Sequence, residues 1–196
     1  GAVIRQGCTR IAPNRARAML PGRIAIGAHA ECSEADLAPI AEMLRDAGYE
    51  VAVSPRIADD RWLKLCINLM STPNALVRPA DHGTRSFTEG KAQLLEEARD
   101  VLRAAGIEAR SCDPRDRTLD AEIEAQRAAL ARGTAARRLP IYNSLWQALR
   151  RGAPTESDLF HRRIVGLGVR HDVATPMNRR ALAILERTLE LGLGPE

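Results

Sequence analysis

Apolar and polar positions follow two rhythms along this chain. From residue 58 onward the repeat is helical, whereas before it short alternating runs are punctuated by glycine and proline. "GRIAIGA" (22–28) reads as a short strand. "SEADLAPIAEMLRDAG" (33–48) reads as an amphipathic helix with Leu37, Ile40, Ala41 and Leu44 on its apolar stripe. Ser33 stands at its N-cap with Asp36 at the capping-box position, and Gly48 suits the residue past its C-cap. "YEVAVSP" (49–55) alternates and stops at Pro55, as a strand does. Residues 1–57 are therefore mixed α/β around one strand–helix–strand unit, too small to be a domain by itself.

Beyond that unit the periodicity predicts helices over 58–71, 85–105, 118–132, 142–150, 156–168 and 177–191. Thr118 caps the third and Gly133 stops it; Ser144 opens the fourth and Gly152 ends it. Thr155 caps the fifth, with Asp158 at the capping-box position. Thr175 caps the last, and Pro176 takes its first helical position, where a missing N–H costs nothing. Residues 106–117, "GIEARSCDPRDR", read as the loosest loop. The expected architecture is mainly α: an α/β portion over 1–57, then an all-helical domain over 58–196.

Composition agrees with this picture. Aromatic residues make up only 3% of 196, so the core rests on Leu, Ile, Val and Ala. The net charge of +4 raises the question of nucleic acid, but positive and negative residues are mixed along the helices. No aromatic residues are interleaved with arginine to stack bases, so nucleic acid is not the expected partner. No apolar stretch is long enough to span a bilayer and no signal peptide is visible, so the expectation is a cytoplasmic protein without membrane contact. Cys8, Cys32, Cys66 and Cys112 are scattered, which implies neither a metal site nor a disulfide framework; Cys66 reads as a small core residue. The opening "GAVIRQGCTRIAP" has no initiator Met and reads as the middle of a longer protein.

The candidate chemistry lies in "RWLKLCINLMSTPN" (61–74). Only two of the chain's 29 basic residues are lysines, and one of them, Lys64, stands inside an apolar helix. A helix advances about 100° per residue, so Lys64, Asn68 and Thr72 form one polar stripe. An ammonium with an amide one turn above it suits an oxygen-rich ligand, supplying charge, a transferable proton, a donor and an acceptor. The same pattern also suits a lysine whose stem lies on apolar surface and a satisfied buried amide, and spacing alone leaves both open. Pro73 is expected to disturb the helix just beyond the stripe. A second stretch, "NSLWQALRRGAPTESDLFH" (143–161), places Glu156 in a first helical turn, where a carboxylate either meets a ligand or simply matches the helix dipole.

"RWLKLCINL", "NSLWQALRRGAPTESD" and "ATPMNRRAL", in this order, resemble the C-terminal part of the ketopantoate reductases (2-dehydropantoate 2-reductases). That family shows W-x-K-L-x-x-N, then S-x-x-x-D-x-x-x-G-x-x-T-E-x-D, then G-(I/V)-x-T-P-x-N. "PGRIAIGA" also looks like the strand before the exit from the family's cofactor domain, so the resemblance covers nearly the whole chain. It implies a Rossmann domain, of which 1–57 would be a remnant, followed by a helical substrate domain like that of 6-phosphogluconate dehydrogenase. The implied reaction is NADPH-dependent reduction of a 2-keto acid in pantothenate synthesis. The resemblance makes Lys64 the general acid and Asn68 a ligand of the substrate's hydroxyl or keto oxygen. Thr72 would also bind substrate, Ser144 would hold its carboxylate end, and Glu156 would meet substrate or the nicotinamide ribose.

Thr72 stands where the family usually has a second Asn, and Ala148 where it has Asp, so a relative acting on another 2-keto acid is a second reading. A non-catalytic helical dimerisation module is a third, and a homodimer is compatible with each. The family's NADP motif, G-x-G-x-x-G after a strand, is absent from the chain: "GLGVRH" (166–171) lacks the third glycine and ends a helix.

Overall fold

The computed structural model describes residues 1–18, 22–28, 33, 35–131 and 143–194. Cys32 and the expected helix stop at Gly133 lie outside the described residues. The chain divides into two compact units, one of residues 1–64 with 109–116 and one of 65–108 with 117–196.

In the first unit, β1 (Ala2–Arg5), β4 (Arg23–Ile26) and β5 (Glu50–Val53) form a sheet in the order β1-β4-β5. β4 and β5 are parallel and joined through α1 (Leu37–Asp46), so the strand–helix–strand reading holds, while β1 runs antiparallel to β4. Strand alternation sorts the core. Ile24 and Ile26 pack with Leu37 and Ala41 of α1, whereas Ala25 packs with Val3 and Ile57. The Ser33–Asp36 pair forms, the Asp36 carboxylate accepting from the Ser33 hydroxyl at 2.6 Å and from its backbone N–H at 2.9 Å, but α1 begins later than expected, at Leu37, with Asp36 rather than Ser33 at its N-cap. α1 ends in a Schellman turn, in which the Tyr49 N–H reaches Leu44 O at 3.1 Å and the Gly48 N–H reaches Arg45 O at 2.8 Å. Gly48 takes φ +88° there, a conformation that favours glycine.

A two-stranded hairpin of β2 (Cys8–Ala12) and β3 (Arg15–Ala18) was not legible in the pattern. Every β3 residue is exposed, so no buried face marks that strand in the sequence. The segment 109–116, expected to be loose, is instead fixed by hydrogen bonds. Asp113 accepts from the Arg115 guanidinium and backbone, and Ser111 donates to Asp116 at 2.6 Å.

The second unit holds most of the helices: α3 (Ser71–Leu76), α4 (Arg85–Ala104), α5 (Leu119–Ala131), α6 (Ser144–Arg151), α7 (Ser157–Arg170) and α8 (Pro176–Glu190). α2 (Ile57–Leu69) leads into it. Apart from α3, which the periodicity did not predict, the described bounds follow it to within two residues, because local signals set them. Thr118 accepts from the Ala121 N–H at 3.1 Å as expected, and Gly152 closes α6 in the left-handed conformation. Three caps differ from expectation: α7 has Glu156 rather than Thr155 at its N-cap, without a side-chain cap bond. Asn143, not Ser144, caps α6, its Oδ1 accepting from the Trp146 N–H at 2.8 Å. At α8 no Thr175 side-chain cap forms; Glu97 of α4 accepts from the Met177 and Asn178 backbone N–H groups at 2.7 and 2.9 Å. A carboxylate at a helix N-terminus satisfies orphan donors and opposes the dipole charge. Among the described residues no helix is long and apolar enough to cross a membrane.

The two glycines of "GLGVRH" both lie inside α7 and separate cleanly. A Cβ on Gly168 would meet Val173 O at 2.7 Å and Thr175 Cγ2 at 2.9 Å, whereas one on Gly166 would meet nothing within 4 Å. Gly168 thus admits the returning chain. Gly168→Ala is expected to destabilise the protein by about 1–3 kcal/mol despite alanine's better helix propensity. Gly166→Ala is expected to stabilise it by up to about 1 kcal/mol. Urea denaturation of both variants checks the contrast.

Candidate functional site

Lys64 lies on α2, at the end of the 1–64 segment of the first unit, and is half-buried. Leu63 and Cys66 beside it are buried, and burial pushes the Cys66 thiol up to about 12, which leaves it inert. Among the described residues the Lys64 ammonium has no hydrogen bond or ion-pair partner. Partial burial, reinforced by the Arg5 charge, pulls it below the ordinary lysine value, with Asp116 opposing. The chain's other lysine, Lys91, is buried on α4 with its ammonium 5.1 Å from the Phe87 ring centroid.

The surroundings of Lys64 in the first unit are an arginine–carboxylate network. Arg5 pairs with Asp116 at 2.6 Å and reaches the buried Asp60 at 3.7 Å. Arg23 joins Asp113 to Asp116, and Arg115 joins Asp113 to Glu50. The Arg115 guanidinium holds the Asp113 carboxyl far below the usual carboxylate range, with Arg23 adding to it. A cavity of about 350 Å³ lies against this network, lined among others by Arg5, Arg23, Glu50, Cys112, Asp113 and Arg115. Its three arginines are each matched to a carboxylate, so the cavity offers no surplus positive charge to an anion.

In the second unit, Asn68 occupies the last turn of α2, half-buried. The polar stripe then breaks earlier than expected. α2 stops at Leu69, where the Met70 N–H turns back to Ile67 O at 3.3 Å, and a new helix starts at Ser71. Pro73 does not end this helix. It sits in the first turn of α3, where no intrahelical N–H is needed, and Thr72 belongs to α3 rather than to the Lys64–Asn68 face of α2.

Thr72 is buried, and its Oγ1 lies 2.9 Å from His161 Nε2. His161, on α7 and fully buried, has its Nδ1 2.9 Å from Asn178 Oδ1. The Asn178 amide nitrogen donates to Leu94 O at 3.1 Å and to Glu97 Oε2 at 2.8 Å, which assigns its oxygen to the side facing His161. Nδ1 therefore carries the proton, and Nε2 accepts from the Thr72 hydroxyl. Burial lowers the His161 pKa, with the Asn178 bond and the Asp158 charge opposing.

Ser144 is exposed at the first position of α6. Its neighbour Asn143 donates from Nδ2 to Ser71 O at 2.8 Å, tying the start of α6 to the start of α3. Ala75 of α3, Leu145 and Leu149 of α6 and Leu185 of α8 form one buried cluster. Glu156 is exposed at the N-terminus of α7 and makes no capping bond of its own; Thr155 Oγ1 accepts from the Ser157 N–H at 3.2 Å instead. The start of α3 is thus joined to α6 through Asn143 and to α7 through His161. Asn68 directly precedes it, Ser144 begins α6, and Glu156 begins α7. Lys64 stands one helical turn before Asn68 on α2.

The roles of His161, Asn178 and Glu97 were not foreseen. Asn178 lies within the T-P-x-N motif and His161 within "TESDLFH", but their partners are 80 or more residues away for Glu97 and Thr72. Among the described residues no group of three or more His, Cys, Asp or Glu is placed to hold a metal ion.

The fold is similar to that of 2-dehydropantoate 2-reductase from Methylococcus capsulatus, with TM-score 0.73 and 20% identity over 97% of this chain and 62% of that one. It is also similar to D-mandelate dehydrogenase solved with NADH and anilino(oxo)acetate, with TM-score 0.72 and 17% identity over 96% and 59%. Dimeric ketopantoate reductase from Staphylococcus aureus matches with TM-score 0.70 and 14% identity over 97% and 62%. The chain spans about three-fifths of the length of these solved structures, and at such identities the likeness is one of fold. No curated protein matches it. More than half of the sequence, residues 56–188, matches the family described as "Ketopantoate reductase PanE/ApbA C terminal", and the chain belongs to that family.

Proposed function

We propose that this chain carries the substrate-handling part of an NADPH-dependent 2-keto acid reductase, with ketopantoate as the first substrate to test. The observation that carries the reading is Lys64: a half-buried ammonium without a salt-bridge partner among the described residues, one turn from Asn68, in a chain of this family. Reduction of a ketone builds negative charge on its oxygen. An ammonium stabilises that charge and then gives up a proton, more readily when burial has lowered its pKa. Arginine in the same place would keep its proton. In this reading Asn68 bonds the keto or a hydroxyl oxygen, and Ser144 meets the carboxylate end, where the first turn of α6 adds backbone N–H groups.

The fit to NADPH rests on Glu156, whose exposed carboxylate makes no bond to its own helix end and suits a ribose hydroxyl. Among the described residues no glycine-rich turn is placed for the pyrophosphate; Gly166 and Gly168 are both helical. When bound, NADPH supplies the hydride; the residues described above hold the keto acid and deliver the proton. We expect a homodimer, as the Staphylococcus aureus relative is described, and a cytoplasmic location.

One observation favours a different 2-keto acid. Thr72, which takes the place of the family's second Asn, spends its hydroxyl proton on His161. The test is NADPH oxidation by the protein that carries this chain, with ketopantoate, pyruvate and benzoylformate in parallel. Turnover of ketopantoate above the others supports the first reading, and a preference for another 2-keto acid supports the second. Failure to reduce any of them would overturn both.

A further inference from the structure

We infer that His161 is a positioning residue of the candidate site: its neutral imidazole orients the Thr72 hydroxyl and pins the start of α3, and uptake of a proton reverses the polarity of that bond and places a buried cation at the contact. This rests on the reading of Thr72 and Ser144 as substrate-side residues. The polarity of the chain Glu97–Asn178–His161–Thr72 is fixed from one end. Glu97 is an acceptor bound by two backbone N–H groups of α8 and by the Asn178 amide. Asn178 therefore presents its oxygen to Nδ1–H, and Nε2 is left as the acceptor for Thr72. Thr72 in turn has only lone pairs to offer elsewhere. Because Ser71 O is held by Asn143, the start of α3 also sets the start of α6, where Ser144 stands.

A protonated His161 would donate from both nitrogens, and the Thr72 hydroxyl would have to rotate to accept. The resulting cation would be fully buried. Few charges face it. α7 brings Asp158, α4 brings Glu97 through Asn178, and α3 carries no ionisable residue. α8 presents the neutral Asn178, and its Arg179 and Arg180 are exposed. The direction of the His161 shift agrees with a neutral ring at physiological pH.

The experiment is a pH titration of this chain by NMR. Imidazole ¹⁵N shifts should report the Nδ1–H tautomer at neutral pH. On acidification the Ser71, Thr72 and Ser144 amides should shift with the His161 midpoint. His161→Gln carries an amide oxygen to the position of Nε2 and cannot titrate, so these linked shifts should disappear. Amides that stay still while His161 titrates, or linked shifts that persist in the Gln variant, would overturn the inference. So would global unfolding at the His161 midpoint, which would reduce its role to stability. In the protein that carries the chain, the KM for its 2-keto acid should rise about tenfold one pH unit below that midpoint, and the Gln variant should lose this limb. A flat KM profile in the wild type would also overturn it. An absence of all 2-keto acid turnover would instead remove the functional reading, while the amide titration still decides what His161 positions.

Discussion

Replacing Lys64 with alanine should lower kcat by about 10²- to 10⁴-fold, the usual range for losing a positioned general acid. The expectation applies to the protein that carries this chain, assayed with its best 2-keto acid. Folding should survive, because Lys64 is half-buried and its ammonium has no hydrogen-bond or ion-pair partner to orphan among the described residues. KM should change much less than kcat, since the ammonium acts mainly on charge that develops in the transition state. Lys64→Arg should keep the positive charge and still fail to restore turnover, because the guanidinium holds its proton.

The pH profile adds an independent check on the same residue. A general acid must start protonated, so activity should fall as pH rises through the pKa of Lys64. Burial and the Arg5 charge place that limb below the ordinary lysine range. Removing the Arg5 charge should move the limb upward. Near-normal turnover by the alanine or the arginine variant would make Lys64 an ordinary half-buried lysine and remove the basis of the site.

The helices were legible because their signals are local. Thr118, Gly152 and Pro176 each act within a few residues of a helix end, and the apolar stripe needs only its own segment. The α1 turn was legible for the same reason, with Ser33, Asp36 and Gly48 all inside one short window. What the pattern hid depends on partners distant in sequence or on exposure. The β2–β3 hairpin has an arginine-laden strand with no buried face, and β1 is defined only by pairing with β4 across some twenty residues. Pro73 looked like a helix breaker because its position within a turn cannot be known before the break at Met70 is placed. Of the candidate site, Lys64 and Asn68 were readable from their spacing on one helix. The bond between Thr72 and His161 was not, since nothing in "TESDLFH" separates a buried histidine from an exposed one. Segment 109–116 looked loose for a similar reason: beside its own Arg115–Asp113 and Ser111–Asp116 bonds, its order comes from Arg5 and Arg23 on other elements.

One of those distant arrangements carries the largest expected effect on stability. Asp60→Ala should destabilise the protein by about 3–5 kcal/mol, as breaking a buried charged network does. Asp60 is 1% exposed on the first turn of α2. One carboxylate oxygen accepts from the Ser54 hydroxyl at 2.6 Å; the other accepts from the Cys112 N–H at 3.0 Å. Arg5 supplies the nearby positive charge at 3.7 Å. Alanine would strand these donors with no acceptor and no room for bulk water, and an unsatisfied buried donor costs about 1–3 kcal/mol. Asp60→Asn should recover only part of the loss, because its amide nitrogen turns a donor toward groups that are themselves donors. The contrast lies one residue away. Asp59 pairs with Arg56 at 2.7 Å across the helix start, but Arg56 is 56% exposed. Asp59→Ala should therefore cost no more than about 1 kcal/mol, as surface pairs do. Urea denaturation of the three variants tests the ranking. An Asp60→Ala variant as stable as Asp59→Ala would mean that segment 109–116 is held by the Arg23, Arg115 and Asp113 contacts alone, and that Asp60 does not anchor it to α2.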